Sequence, residues 1–131
     1  MKNSLTNAQP GDVVAVDFGP YIHVGILSDR RDGRTTEPLV LSATRRRGAV
    51  AEEPISAFAQ GRAVVRHGYP GALPRSTVLA RARALVGRPW HLLFDNCEHF
   101  VREVHGVPRA SPQIRAAAAV ALIFFIVASG E

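Results

Sequence analysis

Turn-forming residues cut the first half of this chain into short β-like runs, and that punctuation constrains the fold more than any other feature. Pro10-Gly11-Asp12 precedes the run Val13 to Phe18, and Gly19-Pro20 separates it from Tyr21 to Leu27. The polar stretch Ser28 to Arg34 is expected to form a hairpin-like loop before a third strand, Pro38 to Thr44. Arg45-Arg46-Arg47 and Gly48 then interrupt the chain, and Ala49 to Ala51 suits a short strand. Pro54 opens a one-to-two-turn helix, Ile55 to Gln60, which Gly61 ends, and Arg62 to His67 follows as a strand rich in β-formers.

The pattern changes after the Gly/Pro-rich connection. Ser76 is a candidate N-cap for a helix from Thr77 to Val86, with Val78, Ala82, Leu85 and Val86 on one stripe and Gly87 beyond its end. A further helix is expected from Asp95 or Asn96 to His105, stopped by Gly106. Ser111-Pro112 has the form of a helix start for the apolar segment that follows. The expected class is therefore α+β, a mostly antiparallel sheet with helices gathered toward the end of one domain of 131 residues.

The segment Ala116 to Ser129 runs for 14 residues without a charge. That is shorter than the roughly 18–20 residues a spanning helix needs. A buried helix, an anchor lying in or abbreviated at a membrane, and an oligomer contact all fit such a run. Arg109 and Arg115 precede it and could hold it against acidic head groups. The first ten residues lack the apolar core of a signal peptide and read as a frayed lead-in, so the expected setting is cytoplasmic with attachment to a membrane through the C-terminus. The net charge of +5 comes from 16 basic and 11 acidic residues. No basic stripe alternates with aromatic residues, so a specific nucleic-acid groove is not expected.

Cys97 is the single cysteine, which excludes an intramolecular disulfide and a thiolate-rich zinc site. His91, Asp95, Cys97 and His99 match no metal-ligand spacing, so neither a metal nor a cofactor is expected. If Asp95 or Asn96 caps the helix, Cys97 lies in its first turn, where backbone N–H groups and the helix dipole favour a thiolate. Cys97, Phe100, Val101 and Val104 then share an inward face. A cysteine nucleophile needs a base, and His23 is the best placed of the five histidines. Strand alternation puts His23 on one side with Gly25, and Ile22, Val24 and Ile26 on the other. His67, His91 and His105 read as structural or surface residues, and His99 as a helix-packing or hydrogen-bonding one.

Taken together, Pro10-Gly11-Asp12, His23-Val24-Gly25-Ile26 and Asn96-Cys97-Glu98-His99-Phe100-Val101, followed by Gly106 and Ser111-Pro112-Gln113, resemble the lecithin:retinol acyltransferase-like family. That family includes the small phospholipase A/acyltransferases within the wider NlpC/P60 group. The resemblance covers about residues 10–125 and implies a circularly permuted papain-like fold. It divides the chain into a lead-in (1–9), a catalytic domain (10–113) and a hydrophobic C-terminal helix or anchor (114–131). It further implies that Cys97, deprotonated by His23, takes an acyl group from a glycerophospholipid as a thioester, and passes it to water or another acceptor. The family pattern has a second histidine on the strand after the hairpin. This chain has Leu39-Val40-Leu41-Ser42-Ala43-Thr44 there, so Ser42, or Thr44 after a two-residue shift, would have to orient His23. Two other functions are compatible with the same residues. One is a cysteine peptidase or amidase of the NlpC/P60 type, and the other is a non-catalytic membrane-associated binding or regulatory protein.

Overall fold

The computed structural model describes residues 5–93 and 95–108. Five strands form one antiparallel sheet: β1 (Val13–Asp17), β2 (Ile22–Arg31), β3 (Pro38–Thr44), β4 (Ala49–Pro54) and β5 (Val64–Gly68). Their order is β4-β3-β2-β1-β5, which makes β2 central and β4 and β5 the edges. Helix α1 (Ile55–Ala59) lies between β4 and β5 in the chain, while α2 (Arg75–Ala84) and α3 (Cys97–Val104) follow the sheet. The α+β class and the late gathering of helices agree with the sequence.

Both faces of the sheet are covered. Val13, Ala15, Val24, Ile26, Leu41, Ala43 and Val50 pack against α2 and α3. Val14, Val16, Leu27 and Val40 pack against Phe58 and Ala59 of α1, with Leu5, Ala8 and Phe18 at the margin. Adjacent residues therefore enter different cores, which is why Val13 to Val16 is continuously apolar. Gly25 is the close-packed point of the α1 face. A Cβ there would stand 2.7 Å from Val40 Cγ1, 2.9 Å from the Leu41 carbonyl oxygen and 3.0 Å from Phe58 Cε1.

Several boundaries differ from the sequence expectation. The second strand continues through Arg31, which pairs with Pro38, instead of ending at Leu27. Backbone pairing carries it into the polar stretch, and the Asp32 carboxylate closes the turn by accepting hydrogen bonds from the N–H groups of Arg34 and Thr35, both at 2.9 Å. The fourth strand extends to Pro54 because its two glutamates find partners on opposite faces. Glu52 accepts a 2.6 Å hydrogen bond from Ser28, while Glu53 pairs with Arg46 at 2.7 Å and Arg47 at 3.2 Å. Helix α2 starts at Arg75 after Pro74, so Ser76 lies inside its first turn and is not the cap. Its buried residues are Val78, Leu79 and Ala82, whereas Val86 is exposed beyond its end. The expected helix after Ser111 lies outside the described residues. Among the described residues, no helix is long and apolar enough to cross a membrane.

The Pro10-Gly11-Asp12 turn joins four elements. Gly11 has φ of +96°, a conformation that side-chain-bearing residues rarely adopt. Buried Asp12 accepts hydrogen bonds from Arg66 of β5 at 2.8 Å, Arg75 of α2 at 2.9 Å and the Gln9 N–H at 2.9 Å. Burial alone would raise its pKa, but these donors prevail and hold it below the ordinary carboxylate value. His105, at the end of α3, meets the Gly11 carbonyl through Nε2 at 2.9 Å. Asp12→Ala is expected to cost about 3 kcal/mol of unfolding free energy, moderated by the partial solvation of both arginines. A urea midpoint within a few tenths of a molar of wild type would contradict this account.

Candidate active site

The start of α3 is built by local hydrogen bonding. His91 and Asp95 form a short antiparallel bridge, with N···O distances of 3.1 and 2.9 Å. Asn96 is the N-cap, and its side-chain oxygen accepts from the His99 N–H at 3.0 Å. The Asn96 N–H in turn approaches His99 Nδ1 at 3.5 Å, so histidine takes the place that Glu or Gln usually fills in a capping box. Asn96 Nδ2 also donates to the Leu92 carbonyl at 2.7 Å, tying the preceding loop to the cap. Cys97 is thereby set as the first residue of α3. It shares a buried face with Phe100, Val101 and Val104, as the helical spacing predicts.

Position at a helix start does not give Cys97 a low pKa here. The residue is 9% exposed, and burial pushes its thiol up to about 11. The backbone N–H groups of Val24, Cys97 and Glu98 act in the opposite direction, and the Glu98 charge adds to the rise. The expected thiolate stabilisation is thus present but outweighed by desolvation. In the resting structure Cys97 is a neutral thiol beside the Val24 peptide.

His23 faces the other way. Its ring lies 4.8 Å from that of Phe58 and 6.3 Å from that of Phe18, both on the α1 side of the sheet. Its cross-strand partner Val16 belongs to that core as well. Cys97 packs with Val24 and Ile26 on the α3 side. The expected direct contact between His23 and Cys97 is not formed, because the two side chains occupy opposite faces of β2. Burial also brings the His23 pKa down from 6.5 to about 4, with Glu53 opposing the shift and Arg46 adding to it.

Ser42 does not take the expected orienting part. It is fully buried, and its Oγ makes no hydrogen bond among the described residues. Strand alternation places Ser42 and Thr44 with Val40 on the His23 side, so the position is on the anticipated face but lacks the anticipated bond. Neither a shift to Thr44 nor the Ser42 hydroxyl brings the imidazole to the thiol.

The α3 face carries a groove of about 230 Å³, lined by Val13, Val24, His67, Tyr69, Pro70, Glu98, Val101 and Arg102. Val24 supplies the N–H that acts on the Cys97 sulfur, and Glu98 is the next residue along α3. The groove is apolar along Val13, Val24 and Val101 and carries an imidazole, a carboxylate and a guanidinium at its polar positions. His67 was not expected here. Its β-strand was legible, but the side on which α3 packs was not. No group of three or more His, Cys, Asp or Glu residues among the described residues could hold a metal ion.

A small α+β protein with one buried thiol at a capped helix start, beside an apolar groove, is the class these features define. Residues 6–107 match the model of the lecithin retinol acyltransferase family, and the chain belongs to that family. No curated protein matches it. The fold is consistent with a circularly permuted papain-like arrangement, and the family with thiol-dependent acyl chemistry.

Two measurements test this geometry. Replacing Asn96 by Ala should cost about 1 kcal/mol by removing the cap of α3, read from the shift of the denaturation midpoint. For His23, the unfolded chain binds a proton below pH 6.5 while the folded chain resists it down to about pH 4. The unfolded state therefore holds more protons in that window, and stability falls as the pH falls through it. The loss should reach about 3 kcal/mol below pH 4. Burial lowers the His105 pKa too and contributes in the same direction, so the relevant quantity is the difference between wild type and His23→Leu. Identical pH slopes for the two proteins between pH 6.5 and 4 would rule out the buried, neutral His23.

Proposed function

We propose that this protein is a cysteine acyl-transfer enzyme or lipid hydrolase that takes a fatty acyl group from a glycerophospholipid. The observation that carries this reading is Cys97 at the first position of a capped helix, on the side of the sheet that bears the groove. Family membership over residues 6–107 supports the reaction class. Val13, Val24 and Val101 offer apolar surface for an acyl chain, which gains about 25 cal/mol for each Å² of apolar area removed from water.

The chemistry follows from the local groups. Once the thiol loses its proton, the sulfur attacks the ester carbonyl, and the carbon–sulfur bond forms as the lyso-lipid alkoxide departs. Backbone N–H groups in the first turn of α3 are suited to the oxyanion that develops, an interaction typically worth about 3 kcal/mol per donor. Water or another acceptor then breaks the thioester. With the thiol pKa at about 11, only about one molecule in 10⁴ carries the thiolate at pH 7 in the absence of substrate. Assistance from a base that takes the thiol proton is therefore needed for useful turnover.

A second reading has an observation of its own. The His23 ring and the Cys97 thiol lie on opposite faces of the sheet, and the thiol is held neutral, which suits a family member that binds lipid without chemistry. Incubation with phosphatidylcholine micelles followed by intact-protein mass measurement separates the two. The enzyme reading expects an acyl-sized mass increase and lyso-lipid release, both lost in Cys97→Ser. Lipid binding with neither product would leave the binding reading standing and remove the enzymatic one.

A further inference from the structure

We propose that the end of the sheet at which α3 begins is a docking surface for an anionic phospholipid bilayer. The inference goes beyond both functional readings, which share a lipid but leave open where its surface meets the protein. Sheet topology gathers the parts. In the order β4-β3-β2-β1-β5, with every neighbour antiparallel, the β1–β2 turn (18–21), the β3–β4 turn (45–48) and the entry into β5 (61–63) fall at one end. The segment after α2 runs toward the same end. The Val50 N–H donates to the Arg88 carbonyl, Pro89 pairs with Ala49, and the Trp90 N–H donates to the Gly48 carbonyl at 2.9 Å. His91 to Leu93 therefore continue past the β3–β4 turn.

This end combines exposed apolar side chains with arginines. Tyr21 is 52% exposed, Leu93 51% and Ile22 38%. The Tyr21 ring stacks on Phe18, with centroids 5.4 Å apart, and the Arg62 guanidinium lies 5.1 Å from the centre of the Phe18 ring. Arg45, Arg46 and Arg47 are exposed in the neighbouring turn, and the last two share the single charge of Glu53. Across residues 17–22, 45–48 and 61–63 the charged side chains are these four arginines and Asp17. The turn at the opposite end, 31–37, sets Arg31 and Arg34 against Asp32 and Glu37 and has no large apolar residue. A soluble polyanion would meet the guanidiniums but leave Tyr21, Ile22 and Leu93 in water. A bilayer meets both, with phosphates for the arginines and an apolar boundary for the rings and aliphatic side chains.

The placement also turns the site toward lipid. Helix α3 starts at this end and finishes at the other, since His105 meets Gly11 ahead of β1. Cys97 lies beside the Val24 peptide, two residues into β2 from Ile22. A bilayer on this surface presents its ester groups at the end of the molecule where the helix carries its thiol.

The test uses the full chain and vesicles of phosphatidylcholine, alone or with phosphatidylglycerol. Co-sedimentation over a vesicle titration should show tighter binding to the anionic vesicles, and the gain should vanish at about 0.5 M salt. An arginine near an anionic surface contributes roughly 1 kcal/mol, so Arg45→Gln with Arg62→Gln should weaken binding about 30-fold. Arg31→Gln with Arg34→Gln, at the opposite end, should change it by less than about twofold. A second measurement separates this surface from attachment through the apolar residues 116–129. Trp90 is the single tryptophan. In Trp90→Phe, one new tryptophan is introduced by Tyr21→Trp or by Arg34→Trp, and quenching by brominated phosphatidylcholine in the anionic vesicles is compared after melts confirm folding. Quenching is expected at position 21 and not at position 34. The proposal is overturned if both probes are quenched alike, if the two arginine pairs weaken binding equally, or if phosphatidylcholine alone binds as tightly. Retention on heparin without uptake by vesicles would also overturn it, assigning the arginines to a soluble polyanion. None of these readouts requires turnover. Docking at this end without acylation of Cys97 would therefore reject the enzymatic reading and leave the surface standing.

Discussion

A buried carboxylate at the mouth of the first strand organises this protein. Asp12 brings together Arg66 from the edge strand and Arg75 from the second helix, and the adjacent Gly11 carbonyl receives His105 from the end of the third. Arg75 also lies 4.4 Å from the centre of the Tyr69 ring, which stacks edge-on against His105. One turn therefore fixes β5, α2 and the C-terminal end of α3 relative to β1. The groove beside Cys97 is bounded by the elements so fixed. A buried ion pair is a weak source of net stability, because desolvation opposes it, but loss of one partner leaves a charge without compensation. The turn's contribution is thus chiefly geometric: it decides where α3 lies.

The second constraint is the doubly covered sheet. With helices on both faces, every strand residue must enter one core or the other, and alternation assigns neighbours to opposite sides. His23 and Val24 show the consequence. Val24 occupies the side on which α3 packs, so its peptide meets the sulfur, while the imidazole one residue earlier is sealed under Phe58. Gly25 locks this arrangement, since Val40, Leu41 and Phe58 approach its α-carbon too closely to admit a side chain. A one-residue slip would exchange the two faces, and the packing at Gly25 opposes it.

Cys97 illustrates how opposing local and global effects are settled by burial. The capped helix start and the Val24 N–H favour a thiolate, yet removal from water outweighs them and the thiol stays protonated. Ser42 shows the other side of the same balance: a hydroxyl buried without a hydrogen bond among the described residues, on the face away from the thiol, costs stability and supplies no orientation to His23.

Much of the architecture was legible in the residues alone. Pro10-Gly11, Gly19-Pro20 and Gly48 marked the turns, the β3 boundaries at Pro38 and Thr44 coincided with the pattern, and Asp95-Asn96 bracketed the start of α3, whose cap is Asn96. These signals are local, arising from backbone conformations and caps that a few neighbouring residues control. The polar ends of β2 and β4 were less visible, because backbone pairing and the ion pairs of Glu52 and Glu53 hold them together in place of apolar alternation. For the site, sequence determined the nucleophile candidate and its helical face. It also determined that His23 and Val24 point to opposite sides of their strand. Only the tertiary structure decided which of those sides receives α3. That choice depends on contacts among Asp12, Arg66, Arg75 and His105, whose separations along the chain no local pattern encodes, and it leaves Cys97 beside the Val24 peptide while the ring of His23 packs against Phe58 on the opposite face.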